Sequence, residues 1–105
     1  MIRLLIQYPT SAGSRFDADY YTAVHLPMAR KLLGEYGMGN CEVLEGKRAI
    51  DGGSPAFFCI TQIEFSSLEG LQSGLQIHGE TLQRDFANYT DATPVATVCE
   101  IVQAA

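Results

Sequence analysis

The sequence predicts an α+β domain of four strands and two helices in the order β-α-β-β-α-β. Three features predict it. Apolar residues alternate with a period of two in the first strand, and the chain ends in a Val/Ile-rich run introduced by Pro94. Two long stretches of helical period follow good N-cap residues. Between those stretches, two strand-like runs meet at a turn rich in glycine and proline.

The first strand is IRLLIQY, with Ile2, Leu4, Ile6 and Tyr8 on one face and Arg3, Leu5 and Gln7 on the other. PTSAGS, residues 9–14, is loop by composition. Asp17 then caps a helix running to Leu33 and stopping at Gly34 or Gly37, with Phe16 as a hydrophobic staple before the cap. Tyr21, Val24, Met28 and Leu32 share one arc of this helix, away from Asp19, Thr22 and Arg30. Residues 40–49 read as a half-exposed strand, DGGSP as a turn, and AFFCITQIEF, residues 56–65, as the strongest strand. Ser66 or Ser67 caps a second helix from Leu68 to Ala87, whose stripe is Leu68, Leu71, Leu75, Leu82 and Phe86. Ile77 lies opposite that stripe. Pro94 introduces the last strand, residues 95–102.

This order is the split βαβ unit of the ferredoxin-like fold: a four-stranded antiparallel sheet with both helices on one face. The third and fourth strands carry Val, Ile, Phe and Cys on both faces, where a sheet with one wet face would alternate cleanly. A second copy of the same sheet would cover the open face. A homodimer formed by sheet-to-sheet packing is therefore expected.

The 105 residues suffice for one domain, spanning 1–105, and 47% hydrophobic residues place it among globular proteins. Twelve acidic against seven basic residues give a net charge of −5 with no Lys/Arg cluster, which disfavours nucleic acid and anionic membrane surfaces as partners. No apolar run approaches the roughly 20 residues that span a bilayer, and no signal-peptide pattern opens the chain. Cys41, Cys59 and Cys99 are odd in number, widely spaced and in strand-like segments, so reduced core thiols in a cytoplasmic protein are expected. Two histidines without Cys, Asp or Glu at ligand spacing make no metal site. With no phosphate loop, dinucleotide fingerprint or nucleophilic triad, no cofactor is expected.

The first helix holds an anomaly. Pro27 sits ten residues past the helix start, where its missing N–H and its ring crowding the carbonyl of Ala23 cost about 3 kcal/mol. A kinked but continuous helix is expected, with a gap one turn deep beside it. His25 falls about 40° from the centre of the apolar arc, its ring leaning towards Tyr21. A cavity wall of Tyr21, His25, Met28 and Leu32 follows. An unperturbed pKa of about 6.5 suits His25 to acid–base work; the bland alternative is a core histidine bonded to a kink carbonyl or a tyrosine hydroxyl.

RFDADYYTAVHLP, joined by NYTDATPV near the C-terminus, resembles the ethyl tert-butyl ether degradation (EthD) family of the dimeric α+β barrel superfamily. The matching positions include Phe16, Asp17, Tyr20, Tyr21, His25, Pro27, Asn88, Tyr89, Thr90, Asp91 and Pro94. The resemblance implies a dimer whose sheets meet in a barrel, and a cavity between each sheet and its helices. It implies no single reaction, since the wider superfamily includes isomerases, cyclases and cofactor-free monooxygenases. His25 is then the candidate catalytic residue. Phe16, Tyr21, Met28, Leu32, Tyr89 and Asp91 are the candidate substrate-binding residues, for a small, mostly apolar, oxygenated molecule. The bland role of Asp91 is a turn cap, and that of Arg15 is surface pairing with Asp17 or Asp91. His78, at the edge of the second stripe before Gly79, is a weaker second histidine. Two functions stand open: a cofactor-independent proton-transfer, isomerisation or oxidation step, and non-catalytic binding as accessory to a partner oxidase.

Overall fold

The computed structural model describes residues 1–104. Strands β1 (Ile2–Pro9), β2 (Met38–Glu45), β3 (Phe57–Phe65) and β4 (Val95–Glu100) form one sheet in the order β2-β3-β1-β4, with every neighbouring pair antiparallel. The first helical run comprises α1 (Ala18–Tyr20), a π turn (Tyr21–His25), α2 (Leu26–Leu33) and a 3-10 turn (Gly34–Tyr36). The second is α3 (Leu68–Arg84), followed by a 3-10 turn (Asp85–Asn88). This is the ferredoxin-like α+β fold expected from the sequence.

Local chemistry starts both helical runs. The Asp17 side chain accepts from the Tyr20 N–H at 3.1 Å, and the Ser67 hydroxyl accepts from the Gly70 N–H at 3.0 Å. Phe16, just before its cap, meets Tyr21 at a centroid distance of 5.2 Å and so forms the staple.

The register decides what the helices cover. Ile2, Leu4, Ile6 and Tyr8 of β1 stand opposite Phe65, Ile63, Thr61 and Cys59 of β3, so all eight share the inner face. Along that face the character changes. At one end Ile2, Leu4, Ile63 and Phe65 pack with Ala29, Leu33, Leu71 and Leu82 in an aliphatic core. At the other, Tyr8 and Cys59 pack with Tyr21 and Tyr89. On the opposite face Leu5 and Ile60 lie half-buried, with Leu44 and Val95 exposed.

Several boundaries and faces differ from expectation. β2 begins at Met38, because Gly37 in the left-handed region (φ 93°) turns the chain directly into the ladder. A register shift between Met38 and Cys41 conceals that start from any period-two pattern. β4 stops at Glu100, its last ladder partner being Ile2. In α3 the buried residues are Leu71, Gly74 and Leu82, while Leu68 and Leu75 are exposed. The helices approach most closely along glycine: a Cβ on Gly74 would lie 2.9 Å from Leu33 Cδ2, and one on Gly70 would strike the Tyr36 carbonyl oxygen. That approach rotates the buried face away from the two leucines. Of the three thiols only Cys59 is in the core; Cys41 packs at its edge, and Cys99 shares a register position with Arg3 on the outer face. No helix among the described residues is long and apolar enough to cross a membrane.

Gly70 therefore tests the helix contact. Alanine adds about 1 kcal/mol of helix propensity over glycine, yet Gly70→Ala is expected to destabilise by about 1–3 kcal/mol through overpacking. Gly79→Ala, whose Cβ would meet only Leu75 at 3.9 Å, should be neutral or stabilising. Urea midpoints of the two variants against the parent check the contrast.

Candidate functional site

The anomaly around Pro27 resolves as a wide turn. The Leu26 N–H donates to the carbonyl of Tyr21, five residues back, and Pro27 follows as one of the first residues of α2, where no N–H is needed. Tyr21, His25 and Leu26 all keep right-handed helical dihedrals. The expected interruption thus takes the form of a bulge in a continuous helix. Each residue of a wide turn advances by less than the 100° of an α-helix. Val24 therefore falls short of the core and is 45% exposed, whereas His25 comes back beneath Tyr21 and is 5% exposed. The Tyr21 and His25 rings stack at 5.6 Å with an interplanar angle of 16°.

His25 Nδ1 lies 2.9 Å from Asp85 Oδ2. The other carboxylate oxygen, Oδ1, accepts from the Tyr20 hydroxyl at 2.7 Å and from Asn88 Nδ2 at 2.9 Å. Burial pushes the Asp85 carboxyl upward, but the hydrogen bonds from Tyr20, Asn88 and His25 outweigh it, and the net shift is down. Burial also lowers the pKa of His25, opposed by its bond to Asp85 and that group's charge. Tyr89 and Phe86 pack on the imidazole at 4.7 and 5.8 Å between centroids. His25 Nε2 has no hydrogen-bond partner among the described residues, yet it is not sealed from solvent.

Beside this cluster stand three buried phenols. Tyr8 and Tyr89 share a hydrogen bond of 2.9 Å between their hydroxyls, and Tyr21 shares one of 2.6 Å with Thr61. Desolvation holds all three protonated by raising their pKa values, and it pushes the Cys59 thiol up to about 11.

Tyr21 also borders a cleft of about 830 Å³. Its floor is the sheet at Cys59 and Val43, its aromatic wall is Phe16, Tyr21 and Phe58, and its rim carries the hydroxyls of Thr10, Ser11 and Ser14. Phe16 and Phe58 stack at 5.6 Å. Glu45 is the only charged residue lining it among the described residues.

The structure thus brings Phe16 and Tyr21 to the cleft, but not the whole wall expected from the helical arc. His25 lies behind the Tyr21 ring. Met28 and Leu32 pack on the aliphatic core, because the bulge turns α2 towards it. Tyr89 is fully buried beneath Tyr21 and Phe16. Asp91 accepts from the Arg15 N–H at 2.9 Å and holds the loop at the bridge between Phe16 and Thr90. The Arg15 guanidinium donates to the Ala87 carbonyl at 2.6 Å instead of pairing with an aspartate. His78 lies edge-on to Tyr36, remote from the cleft. No group of three His, Cys, Asp or Glu able to hold a metal occurs among the described residues.

Sequence reasoning missed Asp85, Phe58 and Thr61. A polar Thr61 on the apolar face of β3 was a visible signal for an internal partner. Nothing local connects Asp85 with a histidine 60 positions earlier.

No protein-family model matches the chain, and neither does any curated protein. Among solved structures it is similar to an EthD-like protein from Ralstonia eutropha JMP134, with 33% identity over 97% of this chain and 92% of that one and a TM-score of 0.89. An EthD family protein from Bacillus halodurans C-125 matches at 19% identity, 97% and 99% coverage and a TM-score of 0.75. A DABB family protein with a ferredoxin-like fold from Mesorhizobium loti MAFF303099 matches at 14% identity, 97% coverage of both chains and a TM-score of 0.58. The last two show the fold.

The lowered His25 pKa sets a pH dependence. Between its folded value and about 6.5 the unfolded chain binds more protons than the native one, so stability rises with pH across that window. Urea midpoints should therefore fall as pH drops from 7.5 to 5.5, and the fall should be smaller in His25→Gln. Asp85, shifted down, stays ionised throughout this range.

Proposed function

Since the chain belongs to the EthD family, we propose that it binds a small, mostly apolar, oxygenated molecule in the cleft between its sheet and its helices. The cleft itself carries this reading. About 830 Å³ falls within the range of small-molecule sites, and aromatic walls with a few hydroxyls at the rim suit an apolar body bearing an ether, alcohol or carbonyl oxygen. With Glu45 as the only charged lining residue among the described residues, a neutral ligand is favoured over a carboxylate. The apolar outer face, with Leu5, Leu44, Ile60 and Val95, supports a homodimer formed by sheet-to-sheet packing.

A second reading adds chemistry. His25, behind Tyr21 and outside the lining of the cleft, exchanges a proton at its solvent-reachable nitrogen in a cofactor-independent isomerisation, cyclisation or oxidation step. The observation favouring it is the ring's orientation: one nitrogen is held by a carboxylate and the other is free of protein partners. A carrier serving a partner oxidase would need the cleft and not the histidine.

Binding is tested by titration calorimetry with anisole and benzoate. Anisole should bind and benzoate should bind more weakly or not at all; the reverse preference would remove the proposal. Phe16→Ala and Phe58→Ala should each weaken anisole binding by about tenfold or more. His25→Gln should keep binding and lose turnover if the second reading holds, whereas a carrier would keep full activity in a coupled assay. Sedimentation equilibrium should show a dimer that Leu44→Glu or Ile60→Glu dissociates.

A further inference from the structure

We infer that Asp85 is the positioning residue of His25: its carboxylate holds the imidazole in the Nδ1–H tautomer and so makes Nε2 the atom that takes up and returns a proton. The inference rests on the reading of His25 as the proton-transfer group, and it names the atom, the partner and the supporting residues that reading lacks.

The hydrogen-bond pattern carries it. An ionised carboxylate only accepts, so each atom approaching Asp85 must donate. Tyr20 and Asn88 both donate to Oδ1, which leaves Oδ2 to the imidazole, and Nδ1 must carry the hydrogen at 2.9 Å. Nε2 is then bare in the neutral ring. It has no partner among the described residues and is not sealed from solvent.

Packing fixes the rest. Asp85 caps the end of α3 through its own N–H, and Asn88, three residues on, ties the 3-10 turn to its carboxylate. The imidazole lies against Tyr21 from its own helix and against Phe86 and Tyr89 from the chain after α3. Of these neighbours only Asp85 carries charge; Tyr21 and Tyr89 are held protonated by desolvation. The adjacent tyrosines divide the work. Tyr20 orients the carboxylate, and Tyr21 separates the dyad from the cleft.

The step balances without an oxidant. Nε2 accepts a proton from a donor that reaches it from solvent, the electron pair of that bond staying on the donor. The imidazolium, paired with the Asp85 carboxylate, then gives the proton back to an acceptor there and is neutral again.

Nitrogen-15 NMR of histidine-labelled protein at pH 8 tests this with no substrate. His25 is expected to show a protonated Nδ1 and a bare Nε2. Asp85→Asn should invert that pattern. The two donors at Oδ1 would draw the amide oxygen to that position, turning the NH₂ towards Nδ1, which must then accept, leaving the proton on Nε2. A protonated Nε2 in neutral wild-type His25 overturns the inference whether or not the variant folds, as does an unchanged tautomer in folded Asp85→Asn. Full turnover in His25→Gln would instead defeat the catalytic reading while leaving the tautomer result intact, so the two failures are distinguishable.

Discussion

A proline cannot donate a backbone hydrogen bond, and in this chain one sits where a long amphipathic helix must continue. The wide turn ahead of Pro27 meets that constraint without breaking the helix. Its side effect is geometric. By slowing the rotation of the chain over Tyr21–His25, it sends Val24 to solvent and stacks His25 on Tyr21. The phenol side of that stack looks into the cleft, and the imidazole side meets the carboxylate at the end of α3.

The sheet divides its labour along its own length. Where the inner face is Ile, Leu and Phe, α2 and α3 close over it and supply most of the apolar burial. Further along the same strands stand Tyr8, Thr61 and Cys59, and there the chain builds paired hydroxyls and leaves a hollow. Buried hydroxyls cost free energy unless they are paired, and every one of the three phenols has found a partner or a neighbour that keeps it protonated. Close aliphatic packing and the open cleft thus occupy opposite ends of one surface.

What was legible in the sequence was local. Caps at Asp17 and Ser67, the staple at Phe16 and the alternation of β1 each depend on residues within one turn or one strand, and the structure places them as read. The proline flagged the right helix segment, but the rules for an α-helix could not show that a single extra residue would be absorbed there. Hence the α-helical arc points Met28 and Leu32 to a cavity wall, whereas they pack on the aliphatic core. Asp85 was invisible for a different reason: its partner is 60 residues away, brought near only when α3 packs beside the first helix. Gly70 and Gly74 hid the true face of α3 in the same way, since an apolar stripe is sought among large residues and close approach needs small ones.

The division of the Tyr21–His25 stack between hollow and carboxylate is tested most directly by a crystal structure of the protein soaked with anisole. Difference density against Phe16, Tyr21 and Phe58, with the His25 imidazole still on Asp85, is the predicted result. A cleft filled by side chains, or ligand density that appears only elsewhere on the molecule, would contradict it.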